Sequence, residues 1–196
     1  MNFYIVEAPE GLVCMDIGWR KNSVQSGFEK LGLNRKDVSA VFLTHLHWDH
    51  ARCLRMFPGT QIFVGVRESP SVFMKKRMTE QPIKLIRDKQ VVTITGLTVQ
   101  GIDTPGHTPG SVSYVVDGRW LFTGDTCQLR KDDLFPFPAW FNWDEKALGQ
   151  SIRKLAQIKG IECILTAHSG VCRNIENAFR RWRRLVADPP SGEFGL

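Results

Sequence analysis

The sequence predicts one layered domain of mixed α and β structure, with sheets packed between helices. Two observations carry this. Short apolar runs of strand length alternate with amphipathic segments of helical period, in two roughly similar halves. No linker divides the 196 residues, a length that suits a single core.

Phe3 to Ile17 reads as two strands turned at Pro9-Glu10-Gly11. Lys21 to Leu31 puts Val24, Phe28 and Leu31 on one helical face, and Gly32 follows as a stop. Val38 to Thr44 is an apolar run of a buried strand, and Asp49 is placed to cap a short helix from His50 to Phe57. Gln61 to Val66 reads as a strand and Glu68 to Met78 as a helix. Strands follow at 90–95, 97–102, 111–117 and 119–123, the last pair turning at Asp117-Gly118. Asp144 to Ile158 brings Leu148, Ile152, Leu155 and Ile158 into helical register. Ile161 to Thr166 is a strand and Asn174 to Val186 the last helix. The domain then spans 1–188, and 189–196 reads as a flexible tail.

Composition narrows the function classes. Hydrophobic residues make up 42% and charged residues 23%, so disorder is excluded. No apolar run approaches a membrane span. The N-terminus has neither a basic region nor a signal-like apolar core, so a cytoplasmic protein is expected. The net charge of +6 comes partly from Arg180, Arg181, Arg183 and Arg184 around Trp182. No nucleic-acid-binding motif surrounds that cluster, and it reads as a solvated helix face. Five cysteines without a C-x-x-C pair do not form a disulfide framework.

The most informative segment is His45-Leu46-His47-Trp48-Asp49-His50. In extended backbone, residues i and i+2 point the same way, so His45 and His47 can reach one ion together. Beyond the turn, Asp49 and His50 face a second point nearby. Imidazole and carboxylate are ligands for zinc, iron or manganese. His107 lies in the loop Thr104-Pro105-Gly106-His107-Thr108-Pro109-Gly110, and His168 and Asp125 follow predicted strands. Every candidate ligand therefore sits at the end of a strand, where loops at one rim of a sheet build sites.

These motifs together resemble the metallo-β-lactamase superfamily, most closely its glyoxalase II-like (hydroxyacylglutathione hydrolase-like) branch. The resemblance implies an α+β fold, an αββα four-layer sandwich with the metal site at one edge of two facing sheets. It implies that His45, His47 and His107 hold one metal, that Asp49, His50 and His168 hold the other, and that Asp125 bridges them. Asp16, in an early Asp-x-Gly element, would support the ligand loop. Arg52 and Cys53 stand where two glycines are common in the family, which places an arginine beside the site.

The expected function is a dinuclear metallo-hydrolase carrying two divalent ions, foremost zinc, with iron or manganese as the other metals. A metal-bridging hydroxide would cleave an ester, thioester or lactone of a small molecule, with Asp49 as the catalytic group that orients the nucleophile or shuttles a proton. The alternative is a mononuclear iron persulfide dioxygenase using His45, His107 and Asp125. A nucleic-acid-binding protein with a structural metal is the least favoured reading, because a structural site closes with four ligands. Five aromatics in 134–143 read as an apolar lip over the metals or a homodimer contact. Trp140 and Phe141, with Arg52, are the candidate substrate-binding residues, for a molecule with one apolar portion and one anionic end.

Overall fold

The computed structural model describes residues 1–68, 79 and 81–187. The helix expected over Glu68–Met78 lies outside these residues beyond Glu68, as does the tail 189–196. Two sheets face each other. The first has the order β1-β2-β3-β4-β5, built from β1 (Tyr4–Ala8), β2 (Gly11–Met15), β3 (Val38–Leu43), β4 (Gln61–Gly65) and β5 (Ile83–Ile86). Only β1 runs antiparallel to its neighbour there. The second has the order β13-β12-β9-β8-β7-β6. Its strands are β6 (Val91–Ile94), β7 (Leu97–Asp103), β8 (Val112–Val116), β9 (Trp120–Gly124), β12 (Cys163–Thr166) and β13 (Gly170–Cys172). A separate hairpin pairs β10 (Cys127–Arg130) with β11 (Asp133–Pro136).

Alternation along the strands sets the layers. On β3, Ala40 and Phe42 face the second sheet, while Val41 and Leu43 face outward. The outward set packs under α1 (Lys21–Leu31) through Val24 and Phe28. On the second sheet, Val115, Leu121 and Ile164 pack outward against Ile152 and Leu155 of α3 (Glu145–Ala156) and Phe179 and Trp182 of α4 (Ile175–Ala187). The result is helices, sheet, sheet, helices. Strands buried on both faces read as unbroken apolar runs rather than as alternation, which is why Val38–Leu43 shows no polar face.

The expected helix at His50–Phe57 is shifted. The structure has a single turn α2 (Trp48–Ala51) followed by a 3-10 segment over Arg52–Met56. Asp49 therefore does not cap. The N-cap is His47, without a side-chain hydrogen bond, and Asp49 lies inside the first turn with its carboxylate toward His168. By contrast Asp144 caps α3 as its side chain implies, accepting from the Ala147 amide at 2.9 Å. Strands β5, β10, β11 and β13 were not expected; each is four residues or fewer, too short to show a period. No helix among the described residues is long and apolar enough to cross a membrane.

The midplane between the sheets is organised by Phe42. Its ring stacks on Phe63 at 4.5 Å and meets Tyr114 edge-on at 5.3 Å. Tyr114 in turn donates to the Leu43 carbonyl across the sheets at 2.8 Å. Truncation by Phe42→Ala is expected to cost about 3–5 kcal/mol, read as a lowered urea midpoint with an unchanged slope.

Candidate metal centre

Five strand ends deliver the site. Asp16 follows β2, the segment His45–His50 follows β3, His107 follows β7, Asp125 follows β9 and His168 follows β12. These ends lie on one rim of the sandwich. The Val112 amide donates to the Thr44 carbonyl at 2.9 Å, which ties the two sheets there. Gly124 sits so close that a Cβ would lie 2.5 Å from Thr44 Oγ1, at a φ of 54. Only glycine lets the strand bearing Asp125 approach the strand bearing His45. Gly106 serves the third loop. A Cβ there would meet Leu148 backbone nitrogen at 2.4 Å, and the Gly106 carbonyl accepts from Trp143 and Asp144 at the start of α3.

Seven side chains converge. Their ligand atoms form three groups, each within 4.8 Å: His45 with His47 and His107; His45 with His50 and Asp125; Asp49 with His50 and His168. Asp125 faces both ends of the cluster. Its Oδ2 lies 3.5 Å from His107 Nε2 and 3.5 Å from His50 Nε2, and its Oδ1 lies 3.4 Å from His168 Nε2.

Asp16 fixes the orientation of this set. Its backbone is left-handed, φ 55, a conformation that costs a non-glycine residue about 1–3 kcal/mol. That turn aims its buried carboxylate at the ligand loop. Oδ1 accepts from the Thr44 amide at 2.8 Å, Oδ2 accepts from the Thr44 hydroxyl at 3.0 Å, and Oδ2 meets His50 Nδ1 at 2.8 Å. An ionised carboxylate only accepts, so His50 carries its proton on Nδ1 and turns Nε2 inward. The same logic passes to His45. The Thr44 hydroxyl spends its proton on Asp16, so its oxygen accepts from His45 Nδ1 at 3.0 Å. His45 Nε2 is then a free lone pair. His107 is held likewise, with Nδ1 3.2 Å from Asn142 Oδ1.

Three buried atoms in this cluster have no hydrogen-bond partner: His45 Nε2, His50 Nε2 and Asp125 Oδ1. Buried polar atoms left bare cost about 1–3 kcal/mol each. Inward-facing ligand atoms that converge and lack a protein partner are what a cation requires, so the residues fit a metal.

The electrostatics agree. Burial holds His45 well below the usual imidazole range and, with less force, lowers His107. Burial also works against charge on His50, but Asp16 and Asp125 outweigh it and raise the group to about 10. The carboxylates of Asp125 and Asp49, 3.4 and 3.3 Å from its Nε2, push His168 to about 9. Burial would raise Asp125, yet His168 and His50 hold its carboxyl well below the usual range. Protons on His50 and His168 thus balance the carboxylates when no cation does.

Other expected residues fall into place differently. Arg52 lays its guanidinium on the Trp48 ring at 4.3 Å, and both are exposed; among the described residues no hydrogen bond or ion pair joins it to the seven. Trp140 is 80% exposed and Phe141 55% exposed. Phe141 lies 5.7 Å from Phe137, whose ring sits 5.1 Å from His107 and 5.4 Å from His168. Phe137 thus covers both halves of the cluster, and it was not singled out from the sequence. Neither were Thr44, Asn142 and Glu68. Glu68 clamps two ligand loops, accepting from the Leu46 amide at 2.9 Å and the Thr108 hydroxyl at 2.7 Å. No sequence pattern marks these partners, because their contacts span 22 to 40 residues. Cys127, two residues past Asp125, packs into the outer core with burial pushing its thiol to about 12.

The family model of the metallo-β-lactamase superfamily matches residues 4–168. The chain belongs to this superfamily. Superfamily relatives include a probable metallo-hydrolase of Methanocaldococcus jannaschii, 29% identical over 77% of this chain and 66% of its own. A hydroxyacylglutathione hydrolase of Dictyostelium discoideum is 29% identical over 54% of this chain and 39% of its own. A probable polyketide biosynthesis zinc-dependent hydrolase of Bacillus velezensis is 28% identical over 63% and 53%. The chain therefore spans between about two fifths and two thirds of these relatives' lengths. Among solved structures, a metallo-β-lactamase family protein of Thermus thermophilus superposes with a TM-score of 0.72 at 20% identity, covering 95% of this chain and 73% of that one. A second, solved in a di-iron-bound form, gives 0.67 at 22% identity, covering 89% and 91%. These likenesses show the fold, and the superfamily binds metal ions through a His/Asp cluster such as this one.

Two outcomes are expected. Asp16→Asn sets an amide N–H against either the Thr44 amide or His50 Nδ1, forcing a donor–donor clash or the other His50 tautomer. Metal affinity should fall by roughly 10- to 100-fold, measured by chelator competition. Cations must also displace the protons on His50 and His168. Metal loading at pH 7 should therefore release protons, and apparent affinity should rise with pH up to about 9–10. Calorimetry in buffers of different ionisation enthalpy would show it, and proton-neutral binding at pH 7 would contradict it.

Proposed function

We propose that the chain is a dinuclear metal-dependent hydrolase that cleaves an ester, thioester or lactone bond of a small molecule. The observation that carries this reading is the pair of three-residue ligand sets sharing one rim, with bare lone pairs aimed between them and Asp125 facing both. A structural site would need four ligands and would close; seven leave an open, asymmetric cluster. His45, His47 and His107 would hold one cation, and Asp49, His50 and His168 the other, with Asp125 joining them. Zinc suits this nitrogen and carboxylate donor set, as do iron and manganese, and relatives or neighbours are described as zinc-dependent or di-iron-bound. Bound there, two divalent ions would acidify a shared water and polarise the scissile carbonyl.

The chain's own residues supply the rest. Asp49 is half-buried, and His168 Nε2 lies 3.3 Å from its Oδ2. Burial opposes its charge, but the hydrogen bond from His168 holds its carboxyl below the usual range, so it is ionised at neutral pH. It would orient the attacking water and carry its proton toward the leaving group. Phe137 would exclude bulk water from one side of the cluster, which strengthens every charge interaction beneath it. A small-molecule substrate suits an open rim of this size; nothing in the cluster calls for a membrane or a nucleic acid.

Elemental analysis of the purified protein should find close to two divalent ions per chain. One iron with little zinc would favour a mononuclear dioxygenase instead. Asp125→Ala should cost both ions, and loss of a single ion would remove it from the joining role. Asp49→Asn should retain at least one ion and lower turnover by about 10²- to 10⁴-fold. A panel of esters, thioesters, lactones, phosphodiesters, β-lactams and glutathione persulfide, run with metal-loaded protein, identifies the reaction class.

A further inference from the structure

The hairpin of β10 and β11 leads away from the metal centre. Phe137, against His107 and His168, directly follows β11, two residues past Phe135. Both rings line one concavity of about 360 Å³, with Arg130, Trp140 and Asn142 around them. Its carboxylate is Glu145, at the start of α3.

Phe135 is flanked by cations from two elements. Phe135 pairs across the hairpin with Gln128, so Arg130 leans from the same face, its guanidinium 4.8 Å from the Phe135 ring. Arg181 approaches from α4 at 5.9 Å. Beyond the ring, Arg180, Arg181 and Arg184 line an adjoining hollow of about 390 Å³. Asp133, in that hollow, lies 4.0 Å from Arg180. Among the described residues no carboxylate forms an ion pair with Arg130, Arg181 or Arg184, although Asp133 stands opposite Arg130 in the hairpin register. Stacking on a ring restrains the planar fork of a guanidinium and leaves its N–H donors free for an oxyanion.

We infer that this concavity is a substrate subsite of the metal centre, taking a molecule whose apolar spacer crosses Phe137 and Phe135 and whose terminal oxyanion is held by Arg130, with Arg181 beside the same ring in the adjoining hollow. The inference rests on the hydrolase reading above for the position of the scissile bond. The oxyanion is a carboxylate or a phosphate ester; both present the paired oxygens an arginine fork matches. The spacer keeps that charge apart from the reacting bond, so it is recognised without competing for the metals. Arg52, the cation expected from the sequence, is not needed for this.

The test is calorimetric, on metal-loaded protein. Octanesulfonate, a poor metal ligand, should bind at least about 10-fold more tightly than octanol, the step of a charge-assisted hydrogen bond. The double variant Arg130→Ala/Arg181→Ala should abolish that advantage, leaving octanol binding and metal content unchanged. Arg130→Lys, which keeps the charge but not the planar stack, should lose part of it. Between octanoate and octyl phosphate, the one that loses more affinity in the double variant names the natural oxyanion. Equal binding of octanesulfonate and octanol, or no effect of the double variant, overturns the subsite. So does a single-stranded oligonucleotide that binds more tightly than octanesulfonate and loses its binding in the same variant, since it assigns the cations to a nucleic acid. If the sulfonate difference holds while the protein hydrolyses nothing in the panel, the subsite stands and the hydrolase reading falls.

Discussion

The buried carboxylate of Asp16 is the interaction on which the rest of the rim depends. One side chain receives the Thr44 amide, the Thr44 hydroxyl and the His50 ring. Through Thr44 it also sets the tautomer of His45. Two of the inward lone pairs thus trace back to one acceptor that has nothing to donate. The strained backbone at Asp16 is the cost of aiming it, and the stiff first sheet behind β2 and β3 supplies what holds it there. A hydrogen-bonded ligand loop of this kind is set before any cation arrives, so binding need not pay again to order it.

That preorganisation has a thermodynamic consequence. Buried imidazoles and a buried carboxylate with bare atoms are unfavourable by themselves, and the cluster meets them with protons on His50 and His168. The protons satisfy charge but not geometry, since His45 Nε2 and Asp125 Oδ1 remain bare. A cation would satisfy both. Its binding energy is then also folding energy for the rim, and the loops bearing His107 and His168 share in that gain although neither is near the other in sequence.

Much of this rim was legible in the sequence. The spacing of His45, His47, Asp49 and His50 names a ligand loop because three histidines and one aspartate fall within six residues, and the apolar run before it shows where the strand stops. His107 and His168 were legible by their place after strands, and Asp16 and Asp125 through the family resemblance. What was not legible is the packing that orients them. Thr44, Glu68 and Asn142 act across distances that no local period reports, Thr44 through Asp16 28 residues away. The capping role expected of Asp49 failed for a related reason. An aspartate before a helix satisfies amides only when nothing nearby needs its charge more, and here His168 and His50 lie within 3.6 Å. Local propensity yields to tertiary electrostatics at the site itself, where such exceptions are expected.

The hairpin of β10 and β11 is the least predictable element and the one proposed to shape what reaches the cluster. Its strands carry Gln128, Arg130 and Asp133 among their apolar residues, and its turn, Lys131-Asp132, has Lys131 at φ 57 rather than a glycine. Neither pattern nor turn chemistry announces it. It is held from below instead: Leu134 is buried in the outer core, and the Trp182 indole donates to its carbonyl at 2.8 Å. Helix α4 therefore does two things with one sequence. Its buried face, Ala178, Phe179 and Trp182, fastens the hairpin to the sandwich. Its arginine face is turned to the hairpin's edge, where Arg181 meets Phe135. A cluster read from sequence as a solvated face is thereby brought beside an aromatic strip that leads to His107 and His168. The proposed metal ligands come from the strand ends of the sandwich, while the groups proposed to choose a substrate come from this appended layer. On that reading, the chemistry of the rim and the shape of what it acts on rest on separate parts of the fold.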